Sequence, residues 1–260
     1  MPSSTTSNAT APRSSSPSGL AKAYLFTYNA LNLLAWGACV NYTASLIPSY
    51  AAKNQLSSIF NETFSPYLLA TQSLAILEVV HSLVRLVRAP VFTTAMQVAS
   101  RLLLVWGIMA PFSGDIVGSK STQLGDYAYL GCVGAWGITE VIRYGFFAIT
   151  LSGNSVPAWW TWLRYNTFYV LYPIGISSEC TLIYLALKPA AEISPLLSWG
   201  LIAVLAIYVP GMFFFFFFLT CRVSIRIGVR VLLTYFLRFL CSIHPYDCAA
   251  PKGSSGKEES

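Results

Sequence analysis

The chain has 260 residues, of which 55% are hydrophobic and 10% charged, with a mean hydropathy of +0.58. Soluble domains carry about a quarter charged residues, so this composition excludes an ordinary soluble fold and predicts an integral membrane protein. The net charge of +6 does not indicate nucleic acid, because the Lys and Arg residues are spread thinly between apolar runs instead of forming one basic face. Phosphate-bearing substrates and lipid head groups fit that distribution better.

Residues 1–19 are dominated by Ser, Thr, Pro and Ala and contain no apolar block, which reads as a disordered cytosolic tail and not as a signal peptide. Apolar segments follow at Leu20 to Val40, Pro66 to Val87, Val91 to Pro111, Tyr127 to Leu151, Trp160 to Leu187 and Leu196 to Leu219. Each is long enough to cross a hydrocarbon core of about 30 Å as a helix. The expectation is therefore an all-α, polytopic membrane bundle of six transmembrane helices over residues 20–219. Residues 220–260 read as an atypical C-terminal tail. Its run Val223 to Ile243 carries Arg226, Arg230 and Arg238 at roughly helical spacing, which suggests an additional interfacial amphipathic helix before a disordered end.

Arg85 and Arg88 mark the turn after the second span and Arg222, Arg226 and Arg230 follow the sixth, whereas the alternate loops have no positive excess. The positive-inside rule then places both termini in the cytosol. The sequons at Asn41 and Asn61 fall on the lumenal side as potential glycan acceptors. Cys39, Cys132, Cys180 and Cys221 lie in or beside apolar runs and read as buried small residues; Cys241 and Cys248 flank His244 without a second cluster, so no metal site is expected. The two halves show no repeat, which weakens a transporter reading.

Polar residues inside the spans carry the functional signal, because burying them in lipid is costly. Asn29 and Asn32 on the first span suit interhelical hydrogen bonds. Glu78, His81 and Arg85 on the second are spaced i, i+3 and i+7, so one stripe holds all three; Glu78 and Arg85 can pair with each other or with neighbours, and His81 is either a proton shuttle or a satisfied interior residue. On the third, Arg101 faces inward with Gln97 one turn before it, while Trp106 reads as packing. Glu140 and Arg143 on the fourth can neutralise each other across one turn, with Tyr144 continuing the face; the alternative for Arg143 is to line a pocket for an anionic or carbonyl-bearing substrate. Trp159, Trp160 and Trp162 form an aromatic belt at the mouth of the fifth span. Arg164 and Tyr165 enter just beyond, where Arg164 either snorkels or holds a phosphate.

The fifth span itself reads RYNTFYVLYPIGISSE from Arg164 to Glu179. Tyr172 and Glu179 are seven residues apart and so return to nearly the same helical face. Pro173 between them removes a backbone donor and can bend the helix, drawing a phenol and a carboxylate toward one reacting centre.

Four stretches, YNALNLLAW at Tyr28 to Trp36, Leu77 to Ile108, WGITEVIRYGFF at Trp136 to Phe147, and RYNTFYVLYPIGISSE, resemble the membrane 3-hydroxyacyl-CoA dehydratases of very-long-chain fatty acid elongation, also called protein-tyrosine-phosphatase-like proteins. The resemblance covers most of Tyr24 to Gly211. It implies a six-span protein of the endoplasmic reticulum that removes water from a very-long-chain 3-hydroxyacyl-CoA to give a trans-2-enoyl-CoA, third in the elongation cycle, beside the condensing enzyme and the ketoacyl and enoyl reductases. It implies Tyr172 and Glu179 as the catalytic pair. Acid and base must converge on adjacent carbons, and a buried carboxylate and a neutral phenol suit those roles, with Glu179 favoured as base and Tyr172 as acid; a tyrosinate helped by Arg143 or Arg164 would reverse them. No metal or redox cofactor is required. After Met212 the phenylalanine run, the basic segment and the ending GKEES depart from the family pattern of a short basic tail with a dilysine signal. A catalytically silent scaffold of the elongation complex is the alternative, against which the intact Tyr172 and Glu179 argue. Arg85, Arg88 and Arg164 are the candidates for steering the CoA phosphates.

Overall fold

A computed structural model of the protein describes residues 19–119 and 122–208. The N-terminal tail to Ser18, the later part of the sixth span and the C-terminal amphipathic segment with Arg226, Arg230 and Arg238 lie outside the described residues. Within them the chain is helical, with one isolated bridge between Ser113 and Val117 in the connection before α6.

Helix α1 runs Gly19–Ala52. It continues twelve residues past the expected end at Val40, because Asn41 to Ala52 contains no breaker except Pro48, so Asn41 lies in helix and not in a loop. The second span begins earlier than expected: α2 (Ser57–Thr63) leads into a π-helical segment (Phe64–Leu69) that contains Pro66, then α3 (Ala70–Ser73) and α4 (Ile76–Leu83). Pro66 has no backbone donor, and the wider π turn accommodates that break without ending the span. Helix α5 (Val91–Leu102) starts on Pro90, held extended at ψ 120°, and passes into a second π-helical segment (Leu103–Met109).

Helix α6 (Gln123–Ser152) has 30 residues, about 45 Å at 1.5 Å per residue, and stops at Gly153, whose left-handed φ of 92° a glycine adopts without strain. Pro157 then sets the start of α7 (Ala158–Asn166), and after a turn at Thr167 helix α8 spans Phe168–Ile193. It stays helical through both Pro173 and Pro189. Helix α9 (Pro195–Tyr208) closes the described chain.

Four helical stretches, Gly19–Ala52, Ser57–Leu83, Val91–Met109 and Ala158–Ile193, are long and apolar enough to cross a membrane. The distribution of burial supports that setting. Leu34, Phe92, Leu196 and Trp199 are 67–80% exposed, whereas Asn32, Gln72, His81 and Glu140 are buried. A surface so apolar around an interior so polar suits lipid contact, since monomeric soluble proteins rarely expose large apolar patches.

Helix α6 lies against both α1 and α8, and its small residues let the backbones approach. A Cβ on Gly137 would stand 2.1 Å from Val40 Cγ2 of α1, and one on Gly131 would stand 2.2 Å from Ser178 Oγ of α8. Both fall below any real contact, so these glycines set the interhelical spacing as small residues do in membrane bundles. Around this seam Trp36, Cys39, Tyr129, Cys132, Trp136, Leu182 and Ile183 form one buried cluster. Cys39 and Cys132 are buried free thiols, as the sequence suggested, and Cys180 is partly buried.

Gly137→Val should therefore wedge α1 off α6 and lower the detergent melting midpoint by several degrees, in line with an overpacking cost of about 1–3 kcal/mol. Gly134→Ala on the same helix, where an added Cβ meets nothing within 4 Å, should melt like the parent; equal losses in both variants would refute the seam.

Candidate active site

The chemistry-bearing residues of α4, α5, α6 and α8 converge on one network. Along α6, Trp136, Glu140, Arg143 and Tyr144 recur at helical spacing and share a face. Glu140, only 2% exposed, accepts hydrogen bonds from two arginines: Arg101 Nη1 of α5 on Oε1, and Arg143 Nε on Oε2 at 2.6 Å. Arg143 also reaches α4, donating from Nη2 to Glu78 Oε1 at 2.6 Å and from Nη1 to Glu78 Oε2 at 3.1 Å. The Tyr144 hydroxyl donates to Glu78 Oε1 at 2.5 Å, and the Arg143 guanidinium lies 4.2 Å from the centre of the Tyr144 ring. Two carboxylates and two guanidiniums thus sum to zero charge, the condition under which ions can be held away from water.

Arg143 pairs with Glu140 as the i, i+3 spacing predicts, and its fork is also occupied by Glu78. Glu78 does not pair with Arg85. Helix α4 ends at Leu83, and the chain turns away through Arg85, exposed and held at φ 56° with its N–H on Ser82 O and the following amides on His81 O. The expected three-residue stripe is therefore a two-residue one. His81 is buried; its Nε2 is 2.8 Å from the Tyr24 hydroxyl and its ring meets Tyr28 edge-on at 4.8 Å. Asn29 and Asn32 donate to Leu25 O at 2.7 Å and Tyr28 O at 2.9 Å, four residues back, so both bond within α1 and not between helices. The i−4 carbonyl lies directly over each amide, which makes the local partner the nearer one.

Gln97 is exposed although Arg101, one turn on, is drawn inward by Glu140. Trp106 is half exposed and donates to Ser73 Oγ at 3.0 Å. Trp159 and Trp162 are exposed as an interfacial belt requires, while Trp160 turns inward and donates to Ile142 O of α6 at 3.0 Å. The Arg164 guanidinium stacks on Phe146 at 4.2 Å and Phe147 at 4.8 Å, and its Nη1 is buried without a hydrogen-bond partner. Tyr165 is 64% exposed.

On α8, Tyr172 is partly buried, with its ring centre 4.9 Å from that of Phe168 and tilted 42° to it, and Glu179 follows two turns on along the same helix. Glu179 accepts a hydrogen bond on Oε1 from Trp136 Nε1 of α6 at 2.7 Å. Tyr208 of α9 stands near the same carboxylate and near Ser100 of α5. Neither Trp136 nor Tyr208 was singled out from the sequence as a neighbour of Glu179. Trp136 stands one turn before Glu140, so the periodicity that links Glu140 to Arg143 also marks it; Tyr208 is a lone phenol at the end of an apolar helix. Within the described residues no cluster of His, Cys, Asp and Glu suits a metal. A cavity of about 680 Å³ lined by Asp115, Tyr184, Lys188 and Glu192 lies toward the other end of α8 from Tyr172 and holds none of these groups.

Comparison with known proteins gives this arrangement a context. A Schizosaccharomyces pombe protein named "Probable very-long-chain (3R)-3-hydroxyacyl-CoA dehydratase" is 40% identical over 192 residues, covering 73% of this chain and 86% of its own. The Arabidopsis thaliana very-long-chain (3R)-3-hydroxyacyl-CoA dehydratase PASTICCINO 2 is 37% identical over 204 residues, with the same coverage. The Homo sapiens very-long-chain (3R)-3-hydroxyacyl-CoA dehydratase 2 is 36% identical over 168 residues, covering 65% of this chain and 61% of its own. No solved structure matches significantly. The family pattern for protein tyrosine phosphatase-like protein, PTPLA, matches residues 72–223, running from α3 past Met212, so the similarity reaches beyond the point where the sequence reading placed its end. With the charge network, Tyr172 and Glu179 all inside that match, the chain belongs to the PTPLA family.

Proposed function

We propose that this protein eliminates water from a very-long-chain (3R)-3-hydroxyacyl-CoA to give a trans-2-enoyl-CoA, the third step of fatty acid elongation, with Glu179 as base and Tyr172 as acid. The observation that carries the reading is a carboxylate and a phenol two turns apart on one helix, the carboxylate held by a neutral donor, in a chain whose relatives are named dehydratases over most of its length. The Glu179 carboxylate takes the C2 proton, the C–H electrons become the C2–C3 double bond, and the C3–O bond breaks as the Tyr172 phenol gives its proton to the departing hydroxyl. Water leaves, and a proton returned from Glu179 to Tyr172 restores the starting state. Acid and base act on bonded carbons, so residues that share one helical face are suitably placed.

The Glu78, Arg143, Glu140 and Arg101 network supports this pair from behind. Its charges are matched to one another, which leaves Glu179 without a dedicated cationic partner and therefore free to act as a base. In the proposed topology α6 is the fourth of six spans and α9 begins the sixth, both termini face the cytosol, and the membrane is that of the endoplasmic reticulum. The condensing enzyme and the two reductases supply the substrate and consume the product. Exposed Arg85 and Arg88, with the partly buried Arg164, attract the CoA phosphates.

Purified protein given a long-chain 3-hydroxyacyl-CoA should release water and enoyl-CoA, and Tyr172→Phe and Glu179→Gln should each fold yet lose at least about a hundredfold in kcat. Undiminished turnover by either variant would remove that residue from the mechanism. Arg85→Gly should raise KM for the acyl-CoA, most clearly at low salt, while melting no lower than the parent, because glycine relieves the positive φ at this position. A KM equal to the parent's would take Arg85 out of substrate capture.

A further inference from the structure

Three other helices approach the Glu179 carboxylate. Trp136 and Cys132 face it from α6, Arg101 from α5 and Tyr208 from α9, with Tyr172 and Cys180 on its own helix. Arg101 is the one cation of this set, and its guanidinium is bound to Glu140. The group seen to donate to Glu179 is therefore neutral, the Trp136 indole N–H. An ion pair would hold a carboxylate ionised but make it a weak base; a neutral donor orients it at smaller cost in basicity.

Trp136 is well fixed for this purpose. It is 3% exposed, the Arg101 guanidinium lies 5.6 Å from its ring centre, and its helix is locked against α1 by the close approach of Gly137 to Val40. An indole N–H only donates, so the oxygen it meets at 2.7 Å must accept. We infer that Trp136 is the positioning residue for Glu179, pinning Oε1 as a standing acceptor and leaving Oε2 as the oxygen through which the substrate proton passes. The inference rests on the assignment of Glu179 as base.

The test removes the N–H while keeping the shape. In the full-length enzyme, Trp136 is replaced by β-(3-benzothienyl)alanine, in which sulfur stands where the N–H was, and in parallel by Trp136→Phe; kcat and KM are measured against pH. Losing a donor to the carboxylate makes its ionised form harder to reach, so the acidic limb of kcat/KM should move to higher pH by about one unit, with KM changed less than about twofold. A purely structural tryptophan predicts a benzothienyl enzyme whose profile superimposes on the parent's, and that result overturns the inference even if Trp136→Phe fails to fold. The Glu179→Gln enzyme separates the two levels. If it retains parental turnover, the base assignment falls; if it is inactive while the benzothienyl profile is unmoved, only the positioning role falls.

Discussion

Two glutamates and two arginines have to share an interior with little water, and their mutual neutralisation governs how α4, α5 and α6 can sit. Glu140 stands at the middle, bound to Arg101 on one side and Arg143 on the other, and Arg143 carries the chain of contacts on to Glu78. Each guanidinium is committed in a directed geometry, so a rotation of any of the three helices by one residue position would leave a charge unmatched. Breaking such a buried pair from one side costs about 3–5 kcal/mol, far more than the pair contributes relative to an apolar replacement. The network is thus better understood as a device for specifying one packing than as a source of stability.

That packing in turn delivers Trp136 to Glu179. The glycines of α6 draw α1 and α8 inward until backbone meets side chain, and at that spacing the indole of one helix reaches the carboxylate of the next. Burial, close approach and hydrogen bonding here are one construction. Glu179 is oriented because Trp136 is immobile, and Trp136 is immobile because Gly137 brings α1 against its helix.

Much of this was legible in the sequence, and the failures have physical causes. The i, i+3 pair of Glu140 and Arg143 was visible because helical spacing fixes neighbours within one element. The partners of Glu78 and Arg101 were not, since pairing between helices depends on their rotation and depth, which no single segment encodes. Arg85 lies in the turn that its charge marked, but not on the stripe with Glu78 and His81, because the helix ends two residues before it with no glycine or proline to announce the stop. Asn29 and Asn32 were assigned to neighbouring helices, whereas each found a carbonyl four residues back. The pairing of Tyr172 with Glu179 on one face came from periodicity, but the donor on Glu179 comes from another helix and needed coordinates.

The way the charges are divided among helices also bears on how the protein is made. On the proposed six-span topology, helix α6 brings Glu140 and Arg143 already paired, so it can enter the membrane close to neutral at its centre. Helices α4 and α5 are made earlier, and each brings a single bare charge, Glu78 in one and Arg101 in the other. At a helix centre a lone charge such as Arg101 costs about 2.5–3.5 kcal/mol on insertion scales, and Glu78, five residues from the end of its stretch, costs less; both remain unpaired until α6 arrives. On the proposed topology, synthesis of α6 is therefore the event that gives the charges of the two earlier helices their partners.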